Sequence, residues 1–313
     1  MSDAEGNSRR RGLRYRWRCG SLGLALLALL GILGSAACGI DRRNTIVIGS
    51  KNFTEQAVLG EILAQQIESH THLKVIRRFY LSGTYICQQA LLAGRIDAYV
   101  EYTGTALTAI LKQPVAADPA AVFEQVRSGY ANRYGLEVLP SLGFNNTFAI
   151  VIRGEDARRL GLKTISDAAR VAPQWRAGFG YEFSERPDGF PGLAQAYSLR
   201  FAAPPRIMDL GLLYRALLEH QVDLVAGNST DGLIAARDLA ILDDDRHYFP
   251  PYDAVPIVRR DAFERHPELR DTLAALAGKI SSVDMQKMNY SVEAERKDTA
   301  EVVSEFLHTK GLE

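Results

Sequence analysis

Cysteine is scarce in this chain. The 313 residues hold three, Cys19, Cys38 and Cys87, too few for the disulfide framework that staples small exported domains. An excess of one charge is missing too, since 37 Lys and Arg balance 37 Asp and Glu. That balance hides a split, because charge is informative only segment by segment. Residues 1–37 carry six arginines against Asp3 and Glu5, so the remainder has 31 basic and 35 acidic residues, a net of −4. Such a body lacks the basic surface that phosphates require, and no nucleic-acid partner is expected. Catalytic signatures are absent as well. Gly227-Asn228-Ser229-Thr230-Asp231 puts Asp where a nucleophile elbow needs glycine. Gly278-Lys279 lacks the upstream glycine and the following Ser or Thr of a phosphate-binding loop. His70 and His72 have no third ligand at metal-site spacing, and Asp243-Asp244-Asp245 lacks the glycine and distal Glu of a calcium loop. The expectation is a non-enzyme without metal or cofactor.

One long apolar run is present, Leu22 to Leu33, interrupted only by glycine and preceded by Arg9, Arg10, Arg11, Arg14, Arg16 and Arg18. A basic stretch, a short apolar stretch and then small residues is the layout of an export signal, assigned here to residues 1–37. The run is short for a spanning helix, which needs roughly 20 apolar residues, although an uncleaved anchor is the competing reading. Gly34, Ser35, Ala36 and Ala37 lead directly to Cys38, a junction that resembles the lipobox of bacterial lipoproteins. That resemblance implies lipidation of Cys38, a tether over residues 38–44 and attachment to the outer face of the cytoplasmic membrane. Cys87, in an apolar helical stretch, reads as a small buried hydrophobe.

The rest alternates strand and helix. Thr45 to Ile48, Lys74 to Tyr80 and Ile96 to Val100 read as strands. Between them lie a helix capped near Asn52 or Thr54, with Ala57, Val58, Ile62 and Leu63 on one face, and a second over Thr84 to Ala93. A third follows over Thr105 to Leu111. This alternation predicts an α/β fold with mostly parallel sheets, in which ligands sit beyond the carboxyl ends of strands. Ala90-Leu91-Leu92-Ala93-Gly94-Arg95-Ile96-Asp97 has an echo in Ala216-Leu217-Leu218-Glu219-His220-Gln221-Val222-Asp223, 126 positions on. The echo predicts two similarly wound lobes, with the loops after Glu101 and after Gly227 meeting across a cleft. Phe148 to Ile152 and Phe249-Pro250-Pro251-Tyr252 read as two crossovers between them. From Asp261 onward the chain reads as helical, divided near Pro267, Ser281 and Asp298, and wrapping back onto the first lobe.

Aromatic residues and cations fall together in the predicted cleft loops: Tyr102, Phe148 and Tyr252, with Lys51 and Arg186. Aromatic faces attract cations that cannot donate hydrogen bonds, whereas Lys51 and Arg186, helped by Thr105, are suited to a carboxylate. The set describes a site for a zwitterion. Ordinary packing between lobes remains an equally simple account of Tyr102 and Tyr252 at this point.

Several segments carry a resemblance. Ile48-Gly49-Ser50-Lys51-Asn52-Phe53-Thr54-Glu55-Gln56, Asp97-Ala98-Tyr99-Val100-Glu101-Tyr102-Thr103-Gly104-Thr105, Gly143-Phe144-Asn145-Asn146-Thr147, Asp188-Gly189-Phe190-Pro191-Gly192-Leu193, Ser229-Thr230-Asp231-Gly232 and Phe249-Pro250-Pro251-Tyr252 occur in that order. Together they resemble the substrate-binding proteins of glycine betaine, choline and related osmoprotectant ABC transporters, from about Thr45 to Glu313. The resemblance implies a two-lobe, type II periplasmic-binding-protein fold with two crossover segments at the hinge. Residues 45–145 and 253–313 would form lobe 1, and residues 146–252 lobe 2. It implies a ligand carboxylate held by Lys51, Thr105 and Arg186 and a quaternary amine caged by Tyr102, Phe148 and Tyr252, with Asn146 as a polar contact. Asn228 stands where a fourth aromatic is common, and Phe148 where a tyrosine is usual. The implied partners are a small zwitterionic or cationic solute and separate permease and ATPase subunits, with the binding protein itself a monomer. Three alternatives stay open: another zwitterion such as carnitine or an amino-acid betaine, a solute-sensing role, and an exported enzyme using Glu101 or Asp231.

Overall fold

The computed structural model describes residues 42–312. The expected export signal and Cys38 lie outside that range. Two five-stranded sheets organise the described chain. The first contains β1 (Thr45–Lys51), β2 (Lys74–Ser82), β3 (Ala98–Tyr102), β4 (Leu136–Val138) and β10 (Ala254–Arg259) in the order β2-β1-β3-β10-β4. The second contains β5 (Phe148–Arg153), β6 (Ala177–Phe179), β7 (Arg206–Ile207), β8 (Leu224–Asn228) and β9 (Leu239–Leu242) in the order β7-β6-β8-β5-β9. The winding is the same in both, with the strand that arrives from the other lobe always fourth.

That inserted strand corrects one expectation. The sheets are mixed rather than mostly parallel: β1 pairs parallel with β2 and β3, whereas β10 runs antiparallel to β3 and β4. Likewise β6 is parallel to β7 and β8, and β5 antiparallel to β8 and β9. A strand entering from the neighbouring lobe starts at the site end of the sheet and must run away from it. Direction is thus set by the crossover and not by local sequence.

The 126-residue echo is structural. Ala98–Tyr102 and Leu224–Asn228 are both β-strands, each preceded by a left-handed residue, Gly94 (φ 65°) and His220 (φ 55°). Asp97 accepts a hydrogen bond from Val47 N (2.9 Å), and Asp223 accepts one from Arg176 N (2.9 Å). These tight turns use up Ile96 and Asp97, so β3 begins two residues later than predicted. Arg259, at the end of β10, donates to the Leu91 carbonyl (2.7 Å), and Arg153, at the end of β5, donates to that of Leu217 (2.9 Å).

The N-cap of the Thr54–His70 helix is Phe53, in extended backbone and without a side-chain capping bond, rather than Asn52 or Thr54. Its burial is broader than one face: Glu61 and Gln66 are covered together with Ala57, Val58, Ile62 and Leu63. Helices Ser282–Glu293 and Thr299–Lys310 account for this by packing over the side turned away from the sheet. The Ser282–Glu293 helix also reaches the second lobe. Its Asn289 amide donates to Thr230 O (2.9 Å) and its Gln286 amide to Ser229 O (3.1 Å). Gly232, opening helix Gly232–Ala236, lies so near its backbone that a Cβ there would meet Tyr290 N at 2.4 Å. The carboxyl-terminal region is therefore a third link between lobes. Cys87 is fully buried and burial pushes its thiol up to about 12, as suits a small apolar filler.

Among the described residues, no helix is long and apolar enough to cross a membrane, and no group of His, Cys, Asp and Glu is placed to hold a metal ion. His70 and His72 lie on an exposed helix end. Asp244 accepts from Tyr248 N (3.0 Å) and Phe249 N (2.9 Å), and so structures the second crossover.

Candidate functional site: an aromatic and ionic cavity between the lobes

The carboxyl ends of β1, β3 and β8 and the amino end of β5 face one another, with both crossovers beside them. Asn145 pairs with Asp253 across these segments, and Asn146 N donates to Tyr252 O at 3.0 Å. A cavity of about 490 Å³ opens here, within the usual range for sites that engulf small ligands. Lys51, Tyr102, Thr105, Asn146, Phe148, Arg186, Asn228 and Tyr252 all line it. They come from positions spread over two hundred residues of chain.

Each has a structural reason to be there. Lys51 and Tyr102 end β1 and β3, Phe148 begins β5, and Asn228 ends β8. Register places Phe148 opposite Asn228, as it places Ala254 opposite Tyr102. Thr105 closes a short helical turn that widens into a π-helix over Ala106–Ile110, a local irregularity common at functional sites. Gly104 leaves room for Tyr252, since a Cβ there would sit 2.8 Å from that ring and from Pro251 O.

The rings of Phe148 and Tyr252 meet edge to face, with centroids 5.5 Å apart at 74°. Phe183 packs on Phe148 at 4.8 Å and 70°. Protein cations sit over two rings already: Lys51 Nζ lies 4.7 Å from the Tyr102 centroid, and Arg186 Cζ lies 5.1 Å from that of Phe148. Such stacking favours electron-rich faces.

Neither cation is free of carboxylate. Lys51 is ion-paired to buried Glu101 and donates to Thr84 Oγ1 (3.1 Å). Arg186 donates through Nε to Asp188 Oδ1 (3.0 Å), and through Nη2 to Asp188 Oδ2 and to Thr105 Oγ1 (3.0 Å). Burial works against the Arg186 charge, yet Asp188 outweighs it and the guanidinium ends above its usual range. An ammonium has three N–H donors and a guanidinium five. Lys51 thus keeps one and Arg186 keeps its Nη1 pair, whose nearest ion-pair contact is Glu182 at 3.8 Å. Those donors are what remains for a further acceptor in the cavity. Glu182 also joins the lobes, accepting a hydrogen bond from Thr84 N at the start of the Thr84–Leu92 helix.

Sequence reasoning missed the carboxylate at the centre. Glu55 is buried and accepts two hydrogen bonds on each oxygen. Oε1 takes Tyr102 OH (2.6 Å) and Asn146 Nδ2 (2.7 Å), while Oε2 takes Thr230 Oγ1 and Asn289 Nδ2 (2.9 Å). It joins the first lobe, the hinge, the second lobe and the carboxyl-terminal helix. Burial raises its pKa, against the pull of these donors. The bond to Glu55 uses one of the two N–H groups of the Asn146 amide, and its Oδ1 accepts a long bond from Ser229 Oγ (3.4 Å). A matching arrangement sits under Asn228. Asp231 accepts from Asn228 N (2.8 Å), Asn228 Nδ2 (3.2 Å) and Tyr214 OH, and burial raises its pKa also.

Toward solvent the cavity changes character. Tyr85 and Ile86 of the first lobe and Tyr181 and Ile207 of the second line its mouth and are exposed. A polar, ring-lined floor beneath apolar lips, enclosed by two lobes on two hinge strands, defines a protein that clasps a small organic solute.

Comparison with known proteins agrees with that class. The chain belongs to the family of substrate-binding domains of ABC-type glycine betaine transport systems, whose family model matches residues 44–309. It is 36% identical over 291 residues to the carnitine transport binding protein OpuCC of Listeria monocytogenes, covering 92% of both chains. It is 35% identical over 293 residues to the ergothioneine transport permease/ergothioneine binding protein EgtU of Helicobacter pylori, covering 92% of this chain and 52% of that one. A crystal structure of a glycine betaine/carnitine/choline ABC transporter superposes with a TM-score of 0.71 at 33% identity, covering 85% of this chain and 99% of that one. The two-lobe type II periplasmic-binding-protein fold implied by the sequence motifs is the one observed.

Proposed function

We propose that this protein is an exported, lipid-anchored receptor that closes around a quaternary ammonium solute and presents it to an ABC permease. The observation that carries the reading is the convergence of three rings and two partly occupied cations on one cavity between hinged lobes. In it, Tyr102, Phe148 and Tyr252 hold the cationic head, while Lys51, Thr105 and the free Nη1 of Arg186 hold the carboxylate. The protein works by binding, without catalysis: Glu101 neutralises Lys51 and Asp231 is enclosed by Tyr214 and Asn228, so neither is presented as an acid or base. Closure is a population shift driven by a ligand that touches both lobes. Export and the anchor rest on residues 1–37 and on Cys38.

Three rings at about 1–2 kcal/mol each and charge-assisted bonds at about 1.5–3 kcal/mol each oppose the losses of ordering and closure. Micromolar binding, about −8 kcal/mol, is within reach. The cavity volume and apolar lips favour a second, narrower reading in which the solute is a larger betaine, such as carnitine or an amino-acid betaine, with Asn228 meeting its polar body. Mass spectrometry of small molecules released from the gently purified protein tests both. A trimethylammonium compound is expected, and it should raise the melting temperature of the wild type but not of Tyr102→Ala or Tyr252→Ala. Equal stabilisation of wild type and both variants would remove the cage from the account.

A further inference from the structure

Both tyrosines of the site donate their hydroxyl to a buried carboxylate. Tyr102 OH reaches Glu55 Oε1 at 2.6 Å, and Tyr252 OH reaches Asp188 Oδ2 at 2.7 Å. Glu55 and Asp188 are 1% and 0% exposed, so neither bond is diluted by water. The two carboxylates differ in what offsets their charge. Asp188 is ion-paired to Arg186, whereas Glu55 has no ion pair among the described residues and is held only by neutral donors. With two donors on each oxygen its acceptor positions are filled, which opposes the burial that raises its pKa. A buried charge without a counter-charge is costly unless something supplies one. The nearest open space is the cavity, reached through Tyr102.

We infer that Glu55 and Asp188 are specificity-determining residues that act through the tyrosines. By accepting hydrogen bonds from the phenols they push electron density into the Tyr102 and Tyr252 rings. The site thereby selects a permanent cation over a neutral molecule of the same shape. A cation–ring attraction is electrostatic and grows with the negative charge on the ring face, and a phenol hydrogen-bonded to carboxylate carries more of that charge than a free one. Selection by shape alone would leave a tert-butyl head, which matches a trimethylammonium head in size, nearly as well bound. The argument rests on the quaternary-ammonium reading above and adds what enforces the charge.

The test compares glycine betaine with 3,3-dimethylbutanoate, and choline with 3,3-dimethylbutan-1-ol, by calorimetric titration of the purified protein. Each pair differs by nitrogen against carbon. Tyr102→Phe and Tyr252→Phe keep the rings and break the links to the carboxylates; Glu55→Gln replaces the carboxyl acceptor behind Tyr102 by an amide. Each should lower the preference for the trimethylammonium compound over its carbon isostere by roughly three- to tenfold, with affinity for the isostere nearly unchanged. A merely structural role would weaken both members of a pair by the same factor, and that result, or an unchanged preference in the two Phe variants, would overturn the inference. The Phe variants carry the test if Glu55→Gln does not fold. A wild type that binds neither cation would overturn the quaternary-ammonium reading and this inference with it. Wild-type binding with unchanged preference in the variants overturns this inference alone.

Discussion

The last residues of β3 and β8 occupy equivalent places in the two lobes, yet one is Tyr102 and the other Asn228. The scaffolds around them correspond closely: the same strand order, the same left-handed turn before the strand, the same arginine on the same carbonyl. Even the acid recurs, buried Glu55 under the tyrosine and half-buried Asp231 under the amide. The repeated frame therefore fixes where cavity-lining side chains stand, and the residue at the strand end sets what is presented to the cavity. One lobe offers a ring backed by a carboxyl group, and the other offers a hydrogen-bonding amide.

The largest effect separates the two frames. Arg153 is 8% exposed in its side chain and serves Asp156, Asp223 and the Leu217 and Val222 carbonyls. Arg259 is 22% exposed, bound mainly to half-exposed Asp261 and the Leu91 carbonyl. Breaking a buried charge cluster costs about 3–5 kcal/mol, against about 1 kcal/mol for an exposed pair. Arg153→Met should lower the denaturant midpoint several times more than Arg259→Met, and equal losses would mean that the lobes do not differ as described.

Next in size is the contrast at the strand ends. Tyr102→Ala should weaken solute binding about ten- to a hundredfold, whereas Asn228→Ala should weaken it only about two- to threefold. Calorimetry measures both, and a reversed order would move the recognition element to the second lobe.

The last contrast is pH-dependent and concerns the acids where the lobes meet. Burial, then the charge of Asp231, pushes the Glu293 carboxyl up from 4.5 to about 7, with Glu55 adding in the same sense against hydrogen bonds from Thr54 and Leu233 N. The folded chain thus holds this proton to about pH 7, while an unfolded one releases it near 4.5. Stability should then fall as pH rises across that window, by at most about 1.4 kcal/mol per pH unit from this group. Denaturant titrations of the wild type and Glu293→Gln between pH 4.5 and 7 should show the variant losing less; identical slopes would exclude Glu293 as the source.

Much of this was legible in the sequence. Motifs that recur in order led to eight side chains that line one cavity, because strand-end residues stay close in sequence to the strands that carry them. The echo exposed the repeated frame because a helix, a left-handed turn and a buried strand each constrain composition. The mixed sheets were not legible, since a crossover strand has the same apolar pattern in either direction. Glu55 was hidden for another reason. An acid in the first turn of a helix reads as an ordinary partner of the helix dipole, and its four donors lie 47, 91, 175 and 234 residues away. The ion pair on Lys51 was hidden similarly, since Glu101 is 50 residues away and reads as the start of a cleft loop.

The most direct measurement is a calorimetric titration of the purified protein with glycine betaine, choline and carnitine, each beside its dimethylated amine counterpart. The account predicts saturable binding of at least one trimethylammonium compound at micromolar concentration, weaker for the counterpart and lost in Tyr102→Ala. Absence of binding by all three, or a preference for the dimethylated amine that persists in Tyr102→Ala, would contradict it.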